Sequence, residues 1–156
     1  MLRRIALLPI LLWPPLAMAA LFGSLFAGSA PTDLGVRDGR LAACPAKPNC
    51  VSSQAGDDEH RIAPLRFTGA AAAAMAKLAR VVASQPGASI VTQRDDYLYA
   101  TFQTPLMGFV DDVEFVAAPA RGEIDVRSAS RLGYSDLGVN RKRIESVRAA
   151  FVEAGP

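Results

Sequence analysis

Along residues 69–84, GAAAAAMAKLARVVAS, the apolar side chains recur with helical spacing, and Met75, Leu78, Val81 and Val82 make one stripe. This period and the alanine run predict a helix that Thr68 opens as N-cap and Gln85-Pro86-Gly87 closes. Beyond it the period changes from about 3.6 residues to about 2. Ala88–Arg94, Tyr97–Thr104, Phe109–Val116 and Glu123–Ser130 are β-rich, with turn residues at Asp95-Asp96, 105–108 and 117–122 between them. Strands joined so closely form an antiparallel meander. Helical spacing returns near Asn140–Ala154, where Ile144, Val147 and Phe151 share a face. Residues 31–64 hold many Pro, Gly, Asp and Ser and keep no sustained period, so they read as an extended lead-in or a packed irregular arm. The predicted class is α+β: about four strands in an antiparallel meander with two helices packed on one face. The organisation is a hydrophobic segment at 1–30, the arm at 31–64 and an α+β domain at 65–156.

The hydrophobic segment changes the picture of where the domain works. Residues 5–27 hold no charge, over a length that matches the roughly 20 residues a bilayer span takes. Arg3 and Arg4 precede it, which keeps the N-terminus cytoplasmic and exports the rest, so the expected place is the inner membrane with the domain on the periplasmic side. Ala17-Met18-Ala19 also fits a signal-peptidase site, and cleavage there would secrete the domain to the periplasm. The apolar run continues past that point through Phe26, which favours an anchor. Leu41-Ala42-Ala43-Cys44 spells a lipoprotein box but follows polar residues, so lipidation is discounted. Without Arg3 and Arg4 the chain has 17 − 2 = 15 basic residues against 15 acidic ones, all beyond Ala30. A neutral exported part gives no case for nucleic acid.

Cys44 and Cys50, in CPAKPNC, fit a disulfide in an oxidising compartment. The alternative, Cys50 as nucleophile with His60 as base, is disfavoured because a thiol there would oxidise. The spacing of cysteines and histidine does not make a metal site, and no cofactor motif is present.

Charge gathers in the last two strands and the loop after them. Alternation puts Asp111 on the core face with Phe109, Val113 and Phe115, where a carboxylate is costly unless paired. Asp112 and Glu114 face the other way, with Asp125 and Arg127 of the next strand, and Arg127 is expected opposite one of them. The ordinary account of that pair is an exposed cross-strand salt bridge, worth well under about 1 kcal/mol. Asn140 is the expected N-cap of the last helix, which would set Arg141, Lys142 and Arg143 in its first turn, against the dipole. Three readings of this basic turn stay open: an anion site on free N–H groups, an ionic lock to Asp111, Asp112 or Asp136, or a solvated face.

The segments CPAKPNCVSSQ, GFVDDVEF and RSASRLGYSDLGVNRKRIE resemble, in order, the defining stretches of domain-of-unknown-function family 1499, small exported or membrane-attached proteins. The resemblance covers Pro31–Phe151 and implies that Cys44, Cys50, Asp111, Asp112, Glu114, Arg127, Ser128, Ser130, Arg131, Tyr134, Asp136, Asn140 and Arg141 are motif positions. It carries no catalytic role. Two functions are therefore weighed. One is a noncatalytic envelope module, binding an anionic small molecule, lipid or protein through residues 127–143. The other is a hydrolase or transferase with Asp111 or Asp112 as base, Ser128 or Ser130 as nucleophile and the arginines steadying an anion. No nucleophile elbow, metal-ligand set or nearby histidine supports the enzyme. The candidate ligand site comprises the motif positions from Asp111 to Arg141, together with Arg143.

Overall fold

In a computed structural model, which describes residues 26–155, the helical and strand periods of the sequence become one sheet with two helices on one side. The strands are β1 (Cys50–Ser52), β2 (Leu65–Arg66), β3 (Ala88–Gln93), β4 (Tyr97–Gln103), β5 (Val110–Ala118) and β6 (Glu123–Ser130); the helices are α1 (Ala71–Ala83) and α2 (Val139–Glu153). The order is β1-β6-β5-β4-β3 with β2 also on β6, all antiparallel. The α+β class and the meander β3 to β6 stand as expected. The arm read as irregular does more than lead in, since its strand β1, followed end to end by β2 at the start of the α+β domain, lies along the free edge of β6 and closes it.

The core lies between sheet and helices. Met75, Leu78 and Val82 of α1 and Ile144, Val147 and Phe151 of α2 pack on Leu98, Ala100, Phe102, Val113, Phe115, Ile124 and Val126. Strand alternation explains this set, because each of β4, β5 and β6 turns every second residue toward the helices. The opposite face is also covered. Leu41 and Val36 of the arm pack on Tyr97, Tyr99 and Val116, so the molecule has three layers and β5 is buried along most of its length.

Three local expectations are corrected. α1 starts after Ala70, which makes no side-chain cap bond, so Thr68 is not its N-cap. β5 runs on to Ala118, and the turn is a 3-10 turn at Pro119–Arg121 closed by Gly122. α2 begins after Gly138, whose φ of 78° a glycine adopts without a Cβ penalty, so Asn140 lies inside the helix rather than at its cap. The segment 5–27, except residues 26 and 27, lies outside the described residues. Among the described residues no helix is long and apolar enough to cross a membrane.

Candidate functional site

The twelve candidate side chains do not meet at one place, because the sheet divides them. On the helix face, Asn140 is fully buried and forms a hub. Its Oδ1 accepts from Ser128 Oγ at 2.5 Å and from Arg143 Nη1 at 2.8 Å. Its Nδ2 donates to Ser130 Oγ, Asp136 Oδ2 and the Asn49 carbonyl at 2.9, 2.8 and 3.2 Å. Arg143 Nη2 donates to Asp111 Oδ2 at 2.5 Å, and its guanidinium lies over the Phe102 ring. Asp111 thus stays on the core face, as alternation requires, because Arg143 reaches it from α2.

Gly138 holds the N-cap position of α2, and Asp136, two residues before it, satisfies the N–H groups there. The Asp136 carboxylate accepts from Gly138 N at 2.9 Å and Asn140 N at 2.7 Å, and it supplies the negative charge that the first turn lacks. Burial works against that charge, but the N–H groups of Asn140 and Gly138 outweigh it and hold the carboxyl below its usual range. Arg141 turns to the arm and donates to the carbonyls of Arg61 and Glu59 at 2.7 and 2.8 Å. Tyr134 belongs to neither network and is 70% exposed.

On the arm face, the register sets Glu114 opposite Arg127. The cross-strand pair expected to be exposed is instead buried, with Arg127 Nη1 3.7 Å from Glu114 Oε2, because the arm covers this face. Glu114 Oε1 accepts from Tyr97 OH at 2.7 Å and from Gly35 N at 2.6 Å, so the arm is hydrogen-bonded to the charge beneath it. Arg131 holds Asp112 with two bonds of 2.8 Å, and Tyr99 OH adds one of 2.6 Å. Burial, then the Glu114 carboxylate beside it, pushes the Tyr97 phenol far up; burial and Asp112 push Tyr99 up to about 12. The Arg131 guanidinium is held more firmly protonated by Asp112. Asp125 accepts from Ser53 Oγ and Gln54 Nε2 at 2.9 and 3.0 Å and pairs with Arg121.

Several of these partners were legible but unread. Leu98, Ala100 and Phe102 claim the core side of β4, which turns Tyr97 and Tyr99 toward the carboxylates of β5, and each reaches one diagonally. Asn49 carried no such signal. The Cys44–Cys50 disulfide closes the loop that presents it. From there its carbonyl accepts Ser130 N, and its Nδ2 donates to Gly133 O at 3.0 Å. Cys50 is therefore no free nucleophile. His60 is engaged elsewhere, with Asp57 at 2.7 Å and the Lys47 carbonyl at 3.1 Å.

Beside a cavity of about 320 Å³ between the disulfide loop and the start of α2, whose two candidate residues Asp136 and Arg141 are already hydrogen-bonded to the protein, two further cavities bear on ligand binding. One of about 470 Å³ follows the arm past Arg37, Arg40, Cys44 and Gln54, and none of the twelve candidates lines it. The other, of about 270 Å³, opens between the β4–β5 loop and the β6–α2 loop. Its walls include Phe109, Val110, Leu132, Leu137 and Val139, with Asp111, Ser130 and Asp136 also on its lining. These last three are held by Arg143, Asn140 and the helix N–H groups, so the cavity meets a ligand mainly with apolar surface.

No curated protein and no solved structure matches the chain. Residues 40–151 match the family model described as a protein of unknown function (DUF1499), and with that match spanning most of its length the chain belongs to this family.

Proposed function

We propose that the protein is a noncatalytic envelope module, held at the inner membrane through residues 5–27 with its domain on the periplasmic side. Its ligand is a small amphiphile with a dominant apolar part, received in the cavity between the β4–β5 and β6–α2 loops. The observation that carries this reading is how the charges are spent. Asp111 and Asp112 each sit against an arginine, and the hydroxyls of Ser128 and Ser130 face the Asn140 amide rather than a carboxylate. A serine nucleophile needs a base within hydrogen-bond reach, and neither serine has that pairing here. Arg141 and Arg143 likewise point at protein oxygens. That leaves the apolar cavity as the part of the 127–143 region best suited to a ligand.

The test is thermal melting of the full chain held in a lipid-free amphipathic polymer, with octanol, octanoate or inorganic phosphate added. A ligand that binds only the folded state raises the midpoint. Octanol and octanoate are expected to raise it in the parent and to lose that effect in Val139→Trp, which fills the cavity mouth. Phosphate is expected to do nothing. A rise with phosphate that Arg143→Ala abolishes would replace this reading by an anion site, and no rise with any of the three would overturn it.

A further inference from the structure

Eight large apolar side chains are exposed among the described residues, and six of them stand at one end of the sheet. Leu106 and Met107 project from the β4–β5 loop; Leu132, Tyr134, Leu137 and Val139 come from the β6–α2 loop and the first residue of α2. The two loops are joined, since Arg131 N donates to Val110 O, and Leu132, Leu137 and Phe109 wall one cavity. Scattered exposed leucines call for no explanation, but a cluster of this size marks a contact surface. Leu106 and Leu137 are 88% and 86% exposed, so neither contributes to the core. Leu137 also holds φ at 54°, a left-handed conformation that is an outlier for a bulky side chain. A strained backbone that holds a leucine out in water breaks a local rule with no gain to the fold.

The chain itself indicates what covers this rim. Phe26, near the end of the uncharged run 5–27, packs against Phe109 as a tilted ring pair with centroids 5.2 Å apart. Gly28 then passes so close to the β6–α2 loop that a Cβ there would stand 2.8 Å from Arg131 Cβ and 3.0 Å from Leu132 Cγ. The apolar segment therefore joins the domain at the rim, with no slack between them. If the segment enters a bilayer, the rim is brought to its surface. The side chains suit that position: aliphatic tips, the amphipathic Tyr134, and exposed Lys142 one helical turn from Val139.

We infer that this end of the domain, Leu106, Met107, Leu132, Tyr134, Leu137 and Val139, seats in the lipid bilayer interface, so that the cavity opens toward the membrane rather than toward the aqueous periplasm. The inference rests on the proposed attachment through residues 5–27. It goes further in fixing the orientation of the domain and in naming the acyl region of the bilayer as the source of the ligand.

The experiment uses the full chain with Trp13→Phe, which removes its only tryptophan. A single reporter is then placed by Leu137→Trp or Leu106→Trp at the rim, or by Asp95→Trp in the exposed β3–β4 turn at the opposite end of the sheet. Each variant is reconstituted in phosphatidylcholine–phosphatidylglycerol vesicles carrying bromine on the acyl chains. All are expected to float with the vesicles. The rim reporters should lose most of their emission relative to unbrominated vesicles, while Trp emission from position 95 stays unchanged. Flotation with unquenched emission at both rim positions would overturn the inference and leave the attachment standing. Emission there that is blue-shifted but unquenched, and dependent on protein density, would overturn it in favour of a second copy covering the rim. Failure to float would overturn both the attachment and the inference.

Discussion

The two faces of β5 are built from one alternating stretch, VDDVEFV, yet they are sealed by different means. Toward the helices, Val113 and Phe115 meet aliphatic side chains, and the one carboxylate, Asp111, lies at the strand end where Arg143 can reach it. Toward the arm, Asp112 and Glu114 are covered by a thin irregular layer and balanced by Arg131 and Arg127. The first face gains from area removed from water, roughly 25 cal/mol per Å² of apolar surface. The second does not, because desolvating two charges can cost as much as their attraction returns. What the ionic layer supplies is specificity: the Gly35 N–H finds its acceptor there, which fixes where the arm lies, while the Tyr97 and Tyr99 hydroxyls of β4 complete the pairing of the two carboxylates.

The comparison is broken most sharply at Glu114. Glu114→Ala leaves Arg127 buried without a countercharge, and the expected loss is about 3–5 kcal/mol by chemical denaturation. Glu114→Leu combined with Arg127→Met should recover most of that stability while loosening the arm, read as faster amide exchange at Gly35. A single-variant loss well under about 1 kcal/mol would mean that the arm does not keep water from this face. On the helix face, Asn140→Ala leaves the Ser128 hydroxyl without its acceptor and Arg143 Nη1 with only a long bond to Ser128 Oγ, at about 1–3 kcal/mol. It should leave exchange at Gly35 unchanged, since the sheet separates the two networks; a matching loosening of the arm would refute their independence.

The smallest effect sharpens how the arm is held. Burial alone would push the His60 imidazole down, but the Lys47 carbonyl and the Asp57 carboxylate outweigh it, so the pKa lies above the ordinary 6.5. A raised native value means that protonation stabilises the fold. The contribution is complete below about 6.5, the unfolded value, and is lost as pH rises through the native one. The melting midpoint should therefore fall modestly across the neutral range in the parent and stay flat in His60→Gln. Equal slopes in the two would remove His60 as a latch.

Much of this molecule is legible without coordinates. Period alone gives both helices and the four-stranded meander, and alternation places Asp111 apart from Asp112 and Glu114 and sets Arg127 on the face of these two, of which the register pairs it with Glu114. These follow from the pleat, which is a local property of the chain. The arm is where legibility ends, because irregular segments carry no period to read. Composition left 31–64 as either an extended lead-in or a packed arm, with no period to show that it holds an edge strand or which face it covers, and Arg127 and Glu114 lie buried beneath it.

The candidate site shows the same division. Residue types and spacing gathered carboxylates, arginines and serines in the 111–143 stretch of the chain and set Cys44 close enough to Cys50 to join. Which charge meets which depends on how the distant segments pack. Asn140 became a buried hub rather than a cap, Asp136 took the N–H groups at the start of α2, and Tyr134 and Leu137 were left at an exposed apolar end. Local sequence fixes the direction of a side chain, but its partner depends on which distant segment packs against it, and that is settled by the burial and pairing of the whole chain together.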